Sequence, residues 1–478
     1  MPVDQQSPGG FFSQKTLREK CAVFGIYTKS SEAAQLTYYG LWALQHRGQD
    51  SSGISATDGT TIRTKKDEGL VAYVYSEEDI DNLKGYAAIG HNRYGTSGGV
   101  KGVDHAQPVT SASNLLTLGH NGNLPSTVKL EAFFKDHNID STGLNDSELM
   151  HGALEYCMQQ GDSIEDAVKK CFPLFTGAFC LVILTKDKVV AVRDAFGVRP
   201  LSLGKFDGGY VAASETCAFD IISAEFIRDV KPGEMVVFDK EGLHSYQLEK
   251  GQEKLDVFEF IYFARRDSML YDRNVDEVRK ALGAELFKEC GEDFKADLVI
   301  PVPDSGIGAA IGFSRASGIP FDHGFVKNRY IHRTFIRPHQ NLREAGVKLK
   351  LNPLPQVLEG KDVAVVDDSI VRGTTTRKIV ELLKKAGAKK VHIVISSPPV
   401  KYPDFYGINT PVQKDLIAAN MSVAEIQKFT KADSLHYLSV DGLFKAIGIP
   451  SDKFCAPQFL GDYPIDLLER KSEVDFTK

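Results

Sequence analysis

The sequence predicts two domains of different class, an α+β first half rich in strands and an α/β second half built on a parallel sheet. Three observations lead there. At 478 residues the chain is longer than one hydrophobic core organises, so two domains of about 200 to 250 residues each are expected. From Cys21 onward, short apolar runs alternate with Gly-, Asn- and Asp-rich turns, as strands and their connections do. Beyond the charged, turn-prone segment Leu248–Asp256 the pattern changes to strand, helix, strand, an order that requires parallel strands and right-handed crossovers.

In chain order, residues 1–20 form a polar leader without the apolar core of a signal peptide. The runs Ala22–Tyr27, Ala87–His91, Leu115–Gly119, Ala178–Leu184 and Val189–Arg193 read as strands. Apolar residues at three- and four-residue intervals predict helices over Glu32–Gln45 and Asp146–Gln160. We divide the chain into a leader (1–20), a first domain (21–253) and a second domain (254–478). The second domain is read as a strand at Leu298–Val302, a helix at Gly306–Ser317, a strand at Val363–Val366, a helix to Ala386 and a strand at Val391–Ser396.

Hydrophobic residues make up 42% of the chain and charged residues 25%, which is ordinary globular usage. A formal charge of -6 gives no general footprint for nucleic acid or an anionic membrane, so any anion site must be local. One candidate is the basic stretch from Lys327 to Lys350. The seven cysteines show no C-x-x-C pairing, which disfavours a disulfide framework or a zinc site and makes a reducing cytoplasm the expected location. No apolar run is long enough to cross a bilayer.

The sharpest motif is Asp362–Thr376, DVAVVDDSIVRGTTT, in which an apolar strand delivers Asp367 and Asp368 to a turn that leads into a helix. Ligands of open α/β sheets bind at that edge. Gly373 permits close backbone approach, while Ser369, Thr374 and Thr375 set hydroxyls beside amides at a helix N-terminus, a cradle for phosphate. Two acids beside such a cradle imply a divalent cation, Mg²⁺, or ribose hydroxyls between them and the anion. An acidic turn that merely caps a helix is the plain alternative. A second strand end, Val299 to Gly308, presents Asp304 and Ser305, either as an ordinary Pro-Gly turn or as a pyrophosphate contact if the two strands are neighbours. Between the two lies Val326–Arg337, with Lys327, Tyr330 and Arg333. It reads as a solvated basic face or as a lid.

In the first half, Cys21 is either a buried apolar residue or, once residues 1–20 are removed, an N-terminal thiol. Its own α-amino group, of pKa about 7.7–8.0, would serve as the base. Arg93 suits an α-carboxylate, Asp146 an α-ammonium, and Asn121 with Gly122 an oxyanion. Taken singly, Arg93 fits a surface ion pair equally well, Asn121-Gly122 a hairpin turn, and Asp146 a helix N-cap.

Together Cys21-Ala-Val-Phe-Gly-Ile-Tyr27, Leu44-Gln-His-Arg-Gly-Gln-Asp50, HNRYGTSG, HNGNL and Arg193-Asp-Ala-Phe-Gly-Val-Arg-Pro-Leu201 resemble the class II glutamine amidotransferase domain. The Asp362–Thr376 string resembles the phosphoribosyl pyrophosphate signature of type I phosphoribosyltransferases, and the two joined resemble the amidophosphoribosyltransferase family from Cys21 to about Pro464. The resemblance implies an N-terminal nucleophile αββα sandwich followed by a phosphoribosyltransferase sheet. The implied reaction is transfer of ammonia from glutamine to 5-phosphoribosyl pyrophosphate, giving 5-phosphoribosylamine, glutamate and pyrophosphate, the first committed step of purine synthesis. It also implies a homo-oligomer inhibited by purine nucleotides.

By residue, it implies Cys21 as nucleophile and Arg47, Gly48, Arg93 and Asp146 as glutamine contacts, with Asn121 and Gly122 as the oxyanion hole. At the second site it implies Ser305, Asp367 and Asp368 at Mg²⁺. Asp304, Lys327, Tyr330, Arg333 and Arg372 join Ser369, Gly373, Thr374 and Thr375 around phosphoribosyl pyrophosphate. Three departures stand out. The positions matching four iron–sulfur ligands of many relatives are Asp256, Asp404, Cys455 and Gln458, so no cluster is expected. Lys20 precedes Cys21 where leader-bearing relatives usually carry Glu, and Arg266 replaces a usual Pro. A phosphoribosyl pyrophosphate sensor with a dead glutaminase, and a nucleophile hydrolase of another amide, are the rival readings.

Overall fold

Strand β1 (Ala22–Tyr27) begins at the residue after Cys21 in the computed structural model, which describes residues 21–94, 105–206, 208–328, 351–408, 410 and 412–477. Eleven further strands complete the first half: β2 (Ser51–Thr57), β3 (Ile62–Glu68), β4 (Ala87–Arg93), β5 (Thr117–Ser126), β6 (Thr176–Leu184), β7 (Val189–Arg193), β8 (Ser202–Phe206), β9 (Gly209–Ala213), β10 (Glu225–Asp229), β11 (Glu234–Asp239) and β12 (Gly242–Gln247). They form a seven-stranded sheet, β10-β8-β9-β1-β4-β2-β3, and a five-stranded one, β12-β11-β7-β6-β5.

The side-chain period of two explains the stacking. Val23 of β1 meets Cys180, Val182 and Leu184 of β6 between the sheets, whereas Ala22, Phe24 and Ile26 face helix α1 (Ala33–Ala43). On the far side of the second sheet, Phe179, Leu181 and Ile183 pack against α2 (Asp146–Gln159) and α3 (Ile164–Cys171). The result is the helix–sheet–sheet–helix sandwich that the resemblance implied. Expected runs match their strands closely, with β1 and β7 bounded as read and β5 extended to Ser126.

The second half carries four parallel strands side by side, β13 (Leu298–Pro301), β14 (Asp362–Asp367), β15 (Lys390–Ile395) and β16 (Ser434–Tyr437). Helix α4 (Val275–Cys290) packs on α5 (Ile307–Ser317), which follows β13, and α6 (Thr374–Lys385) follows β14. The strands are apolar on both faces because helices cover each side. Among the described residues no helix is long and apolar enough to cross a membrane.

The halves meet along a seam. Ala178 and Val198 of the first half share a cluster with Tyr402, Phe405, Tyr406 and Ile465 of the second. Chain passage from β12 to Leu255 is a loop, and Leu255–Asp256 then pairs in parallel with Phe454–Cys455. At the turn leading into α4, Arg266 binds Asp276 in the first helical turn, Nε to Oδ1 at 2.6 Å, so this side chain ties the connection to the helix. Tyr406 is fully buried, donates its hydroxyl to the Ile465 carbonyl at 2.7 Å and accepts from the Ile465 amide at 3.0 Å. Tyr406→Phe strands both backbone groups and should cost about 1–3 kcal/mol, read as a lower denaturation midpoint in urea. An unchanged midpoint would show that the seam does not depend on this hydroxyl.

Candidate active sites

Cys21 lines a cavity of about 410 Å³ whose wall also includes Arg93, Gly122, Asn123 and Asp146. Strand pairing brings them together. Cys21 leads β1, Arg93 ends the adjacent β4, Gly122 lies mid-strand in β5, and Asp146 opens α2. Three plain readings fail here. Asn121-Gly122 is not a hairpin turn but the centre of β5, paired with Cys180 and Phe179. Asn145, not Asp146, is the N-cap, in a capping box with Glu148, so Asp146 is free to face the cavity. Arg93 has no ion-pair partner among the described residues and faces the cavity rather than bulk solvent.

Gly122 is required by its surroundings. Its φ is +154°, and a Cβ there would lie 2.0 Å from the Ala178 carbonyl oxygen. Neighbouring Asn121 is fully buried, donates to the Ser214 hydroxyl at 3.4 Å and leaves its own Oδ1 unpartnered. Asp146 accepts from the Leu124 amide at 3.2 Å and the Ser147 amide at 2.8 Å, which fixes its carboxylate at the cavity wall.

Beside it, and lining the same cavity, runs a largely buried relay that no sequence motif singles out. Gln107 accepts from the His120 amide at 2.7 Å and donates to the Ser147 hydroxyl at 3.1 Å, and Ser147 lies 3.0 Å from His120 Nδ1. Burial lowers the His120 pKa despite Asp146 nearby, and burial pushes His91 down to about 3, so both rings are neutral. His120 lies inside the HNGNL motif, but no spacing rule ties it to Gln107 or Ser147.

Arg47 and Gly48 correct an expectation. Neither lines the cavity. The Arg47 guanidinium is 1% exposed and binds Glu259 through two hydrogen bonds, at 2.9 and 2.8 Å, and Glu215 through a third. Two carboxylates of the chain itself satisfy it, so it does not face a ligand. Burial opposes ionisation of Glu215, but His46 and Arg47 prevail and hold it well below the usual carboxylate range. Both acids escaped notice in the sequence, although Glu259 is a lone acid within the apolar run Val257–Phe263, a pattern that flags a paired buried charge.

The second site forms where β13 and β14 end side by side, Pro301 opposite Val366. The condition set for the two loops to act together is therefore met. Ser305 donates to Asp367 Oδ1 at 3.4 Å, and Lys327 pairs with Asp304 at 2.6 Å. Asp368 is 7% exposed and accepts from Ser369, Gly373 adopts a left-handed φ of 71° at the start of α6, and Arg372 pairs with Asp415 at 2.7 Å. The loop from Asp368 to Gly373 ends where the helix amides of Thr374 and Thr375 begin, so no capping side chain fills that N-terminus. Tyr330 and Arg333, with the rest of 329–350, lie outside the described residues.

No three His, Cys, Asp or Glu side chains converge on an ion site among the described residues. The adjacent pair Asp367 and Asp368 suits instead a hard cation that completes its shell with substrate oxygens. Burial raises the pKa of both, and for Asp367 the neighbouring Asp368 charge raises it further. At the four iron–sulfur positions the chemistry does not fit a cluster. Gln458 donates to Asp256 at 3.1 Å and to Asp404 at 2.9 Å, Arg199 reaches Asp256 at 3.2 Å, and Cys455 offers a single thiol that donates to the Lys254 carbonyl.

The first half matches the model of a glutamine amidotransferase domain over residues 91–220, and the second that of a phosphoribosyl transferase domain over 274–399. The chain is 47% identical over 469 residues to the amidophosphoribosyltransferase of Synechocystis sp., covering 97% of this chain and 94% of that protein. It belongs to the amidophosphoribosyltransferase family. The Bacillus subtilis member is 43% identical over 464 residues, covering 95% of this chain and 96% of the relative. A solved structure of the B. subtilis glutamine phosphoribosylpyrophosphate amidotransferase, complexed with ADP and GMP, superposes with a TM-score of 0.87 at 42% identity, covering 94% of this chain and 98% of that one.

The raised pKa values have a sign. The folded protein holds protons on Asp367 and Asp368 more tightly than the unfolded chain does. The pair therefore favours the fold below the ordinary carboxylate range, and that contribution is lost as pH rises through the raised values. At neutral pH the two charges oppose folding. In metal-free, ligand-free buffer Asp368→Asn should raise the melting temperature at neutral pH, by about 2–4 °C for each kcal/mol relieved, with the gain shrinking as pH falls towards the ordinary carboxylate range. A lower melting temperature at neutral pH would contradict this.

Proposed function

We propose that this chain hydrolyses glutamine at the Cys21 cavity and joins the ammonia to C1 of 5-phosphoribosyl pyrophosphate at the paired loops. The products are 5-phosphoribosylamine, glutamate and pyrophosphate, an amidotransfer of purine biosynthesis. The observation that carries the reading is the joining, in one chain, of a thiol cavity bearing Arg93 and Asp146 with paired loops at the ends of β13 and β14.

Removal of residues 1–20 gives Cys21 a free α-amino group. It takes the thiol proton as sulfur attacks the glutamine side-chain carbonyl, and passes it to the departing nitrogen. Arg93 receives the substrate α-carboxylate and Asp146 its α-ammonium, with Arg47 and Gly48 supporting the site from behind. The Gly122 N–H stabilises the tetrahedral oxyanion, joined by the Asn121 amide, which does not line the cavity and donates to Ser214, once it turns from that hydroxyl. Water then hydrolyses the thioester to glutamate and regenerates the thiol.

At the second site Ser369, Gly373, Thr374 and Thr375 cradle the 5-phosphate, aided by Arg372. Asp304, Ser305 and Lys327, with Tyr330 and Arg333, serve the pyrophosphate. Asp367, Asp368 and Ser305 would hold Mg²⁺, which when bound neutralises charge on the leaving pyrophosphate. Ammonia displaces that group at C1. The B. subtilis structure holds ADP and GMP, and on that ground we extend the reading to purine nucleotide inhibition. A homo-oligomer, a cytoplasmic location and the domain limits 21–253 and 254–478 belong to the same proposal.

Separate assays test it. Cys21→Ala should abolish glutamine-dependent synthesis and leave synthesis from added ammonia within about twofold, and Asn121→Ala, which removes a side-chain donor, should cost the glutamine-dependent rate about 10²–10³. Matured enzyme, its N-terminus verified by intact mass, that releases no pyrophosphate with glutamine, phosphoribosyl pyrophosphate and Mg²⁺ would refute the reading.

A further inference from the structure

Glu259 belongs to the second half, yet its carboxylate is wholly buried among residues of the first. Its Oε1 accepts from Arg47 at 2.8 Å and from Arg199 at 3.1 Å, and its Oε2 from Arg47 at 2.9 Å. Arg47 in turn directs Nε at the backbone carbonyl of Cys21, 3.4 Å away. A guanidinium is planar, so a two-pronged carboxylate at its Nη atoms fixes the direction in which Nε points. Glu215 closes the arrangement by accepting from Nη1, which it shares with Glu259, and is itself held by the Arg265 amide at 2.8 Å and the Ser268 hydroxyl at 2.6 Å.

The segment carrying Glu259 is rigidly seated. Residues Glu259–Phe263 form a π-helical turn, a geometry found mostly at functional positions. Buried Arg279 of α4 holds this turn at its far end, donating to the Phe260 and Ala264 carbonyls at 2.8 Å each. Asp368 of the second site lies close enough to act on the Arg279 charge.

We infer that Glu259 is a positioning residue for the Cys21 thiol: acting through Arg47, it sets the backbone from which the nucleophile projects. This rests on the reading of Cys21 as the nucleophile. Glu259 does not line the cavity, nor does Arg47. Its loss should therefore lower the rate of the thiol step without weakening glutamine binding. The substitution Glu259→Gln keeps shape and one acceptor but removes the charge that orients the fork.

The test uses the full, matured chain and compares Glu259→Gln with wild type in three assays. These are glutamine-dependent synthesis, synthesis from added ammonia, and the limiting rate of Cys21 alkylation by a diazoketone analogue of glutamine. The inference expects kcat with glutamine and the limiting alkylation rate to fall about 10- to 100-fold, the cost of a small misplacement of reacting groups. KM for glutamine and the ammonia-dependent rate should stay within about twofold. Unchanged kcat, a raised KM at constant kcat, or equal loss of both syntheses would each overturn it, the last by revealing a purely structural tie. A wild-type chain inert towards glutamine would instead remove the nucleophile reading itself.

Discussion

The buried ion network between the two halves is the constraint on which the seating of the thiol site depends. Arg47 and Arg199 of the first half are at most 1% exposed, and Glu259 and Asp256 of the second are fully buried. Bringing such charges out of water costs several kcal/mol each, and only complete hydrogen bonding offsets it. The network meets that demand. Asp256 accepts from the Phe258 amide, Asp404 from the Tyr406 and Ile408 amides, and Arg199 donates to Glu259, Asp256 and the Tyr406 carbonyl. A displacement that strands one partner leaves an uncompensated buried charge. The network therefore penalises any seating of the halves that breaks these pairs.

That seating places two different chemistries on rigid elements. The thiol cavity draws on strands of both sheets and on the first turn of α2, so its wall depends on register: a one-residue slip of β5 would turn Gly122 away and bring a side chain towards the Ala178 carbonyl. The second site depends on two neighbouring parallel strands ending at the same level. Its acidic pair is placed at the expense of stability, since adjacent desolvated carboxylates oppose folding until a cation or sugar hydroxyls meet them. Function and stability pull in opposite directions at Asp367 and Asp368, whereas at Glu259 and Arg47 they pull together.

Local features were legible in the sequence. The Asp362–Thr376 string encodes strand, acids, turn and helix in one continuous segment, and the structure follows that order. The β1 and β7 runs were bounded correctly because their apolar blocks end at turn residues. What stayed hidden joins distant residues. Asp146 fits a helix cap in sequence because Ser147 and Glu148 follow it, whereas in the structure Asn145 takes that place through its capping box with Glu148. The roles of Glu215 and Glu259 depend on contacts with Arg47 across 168 and 212 positions of chain, which no periodicity encodes.

The four positions that resemblance matches to cluster ligands follow the same logic as the seam. They do converge, with Gln458 bridging Asp256 and Asp404, and Arg199 set against the same carboxylates. The cluster of the resembling enzymes is held by four cysteines, and here a side-chain amide and a guanidinium already supply the donors that two carboxylates require. The same backbone corner is therefore held by directional hydrogen bonds between oppositely charged and amide groups. Because Arg199 also binds Glu259, this corner and the Arg47 fork share a partner, so the packing of residues far from Cys21 reaches the backbone that carries it.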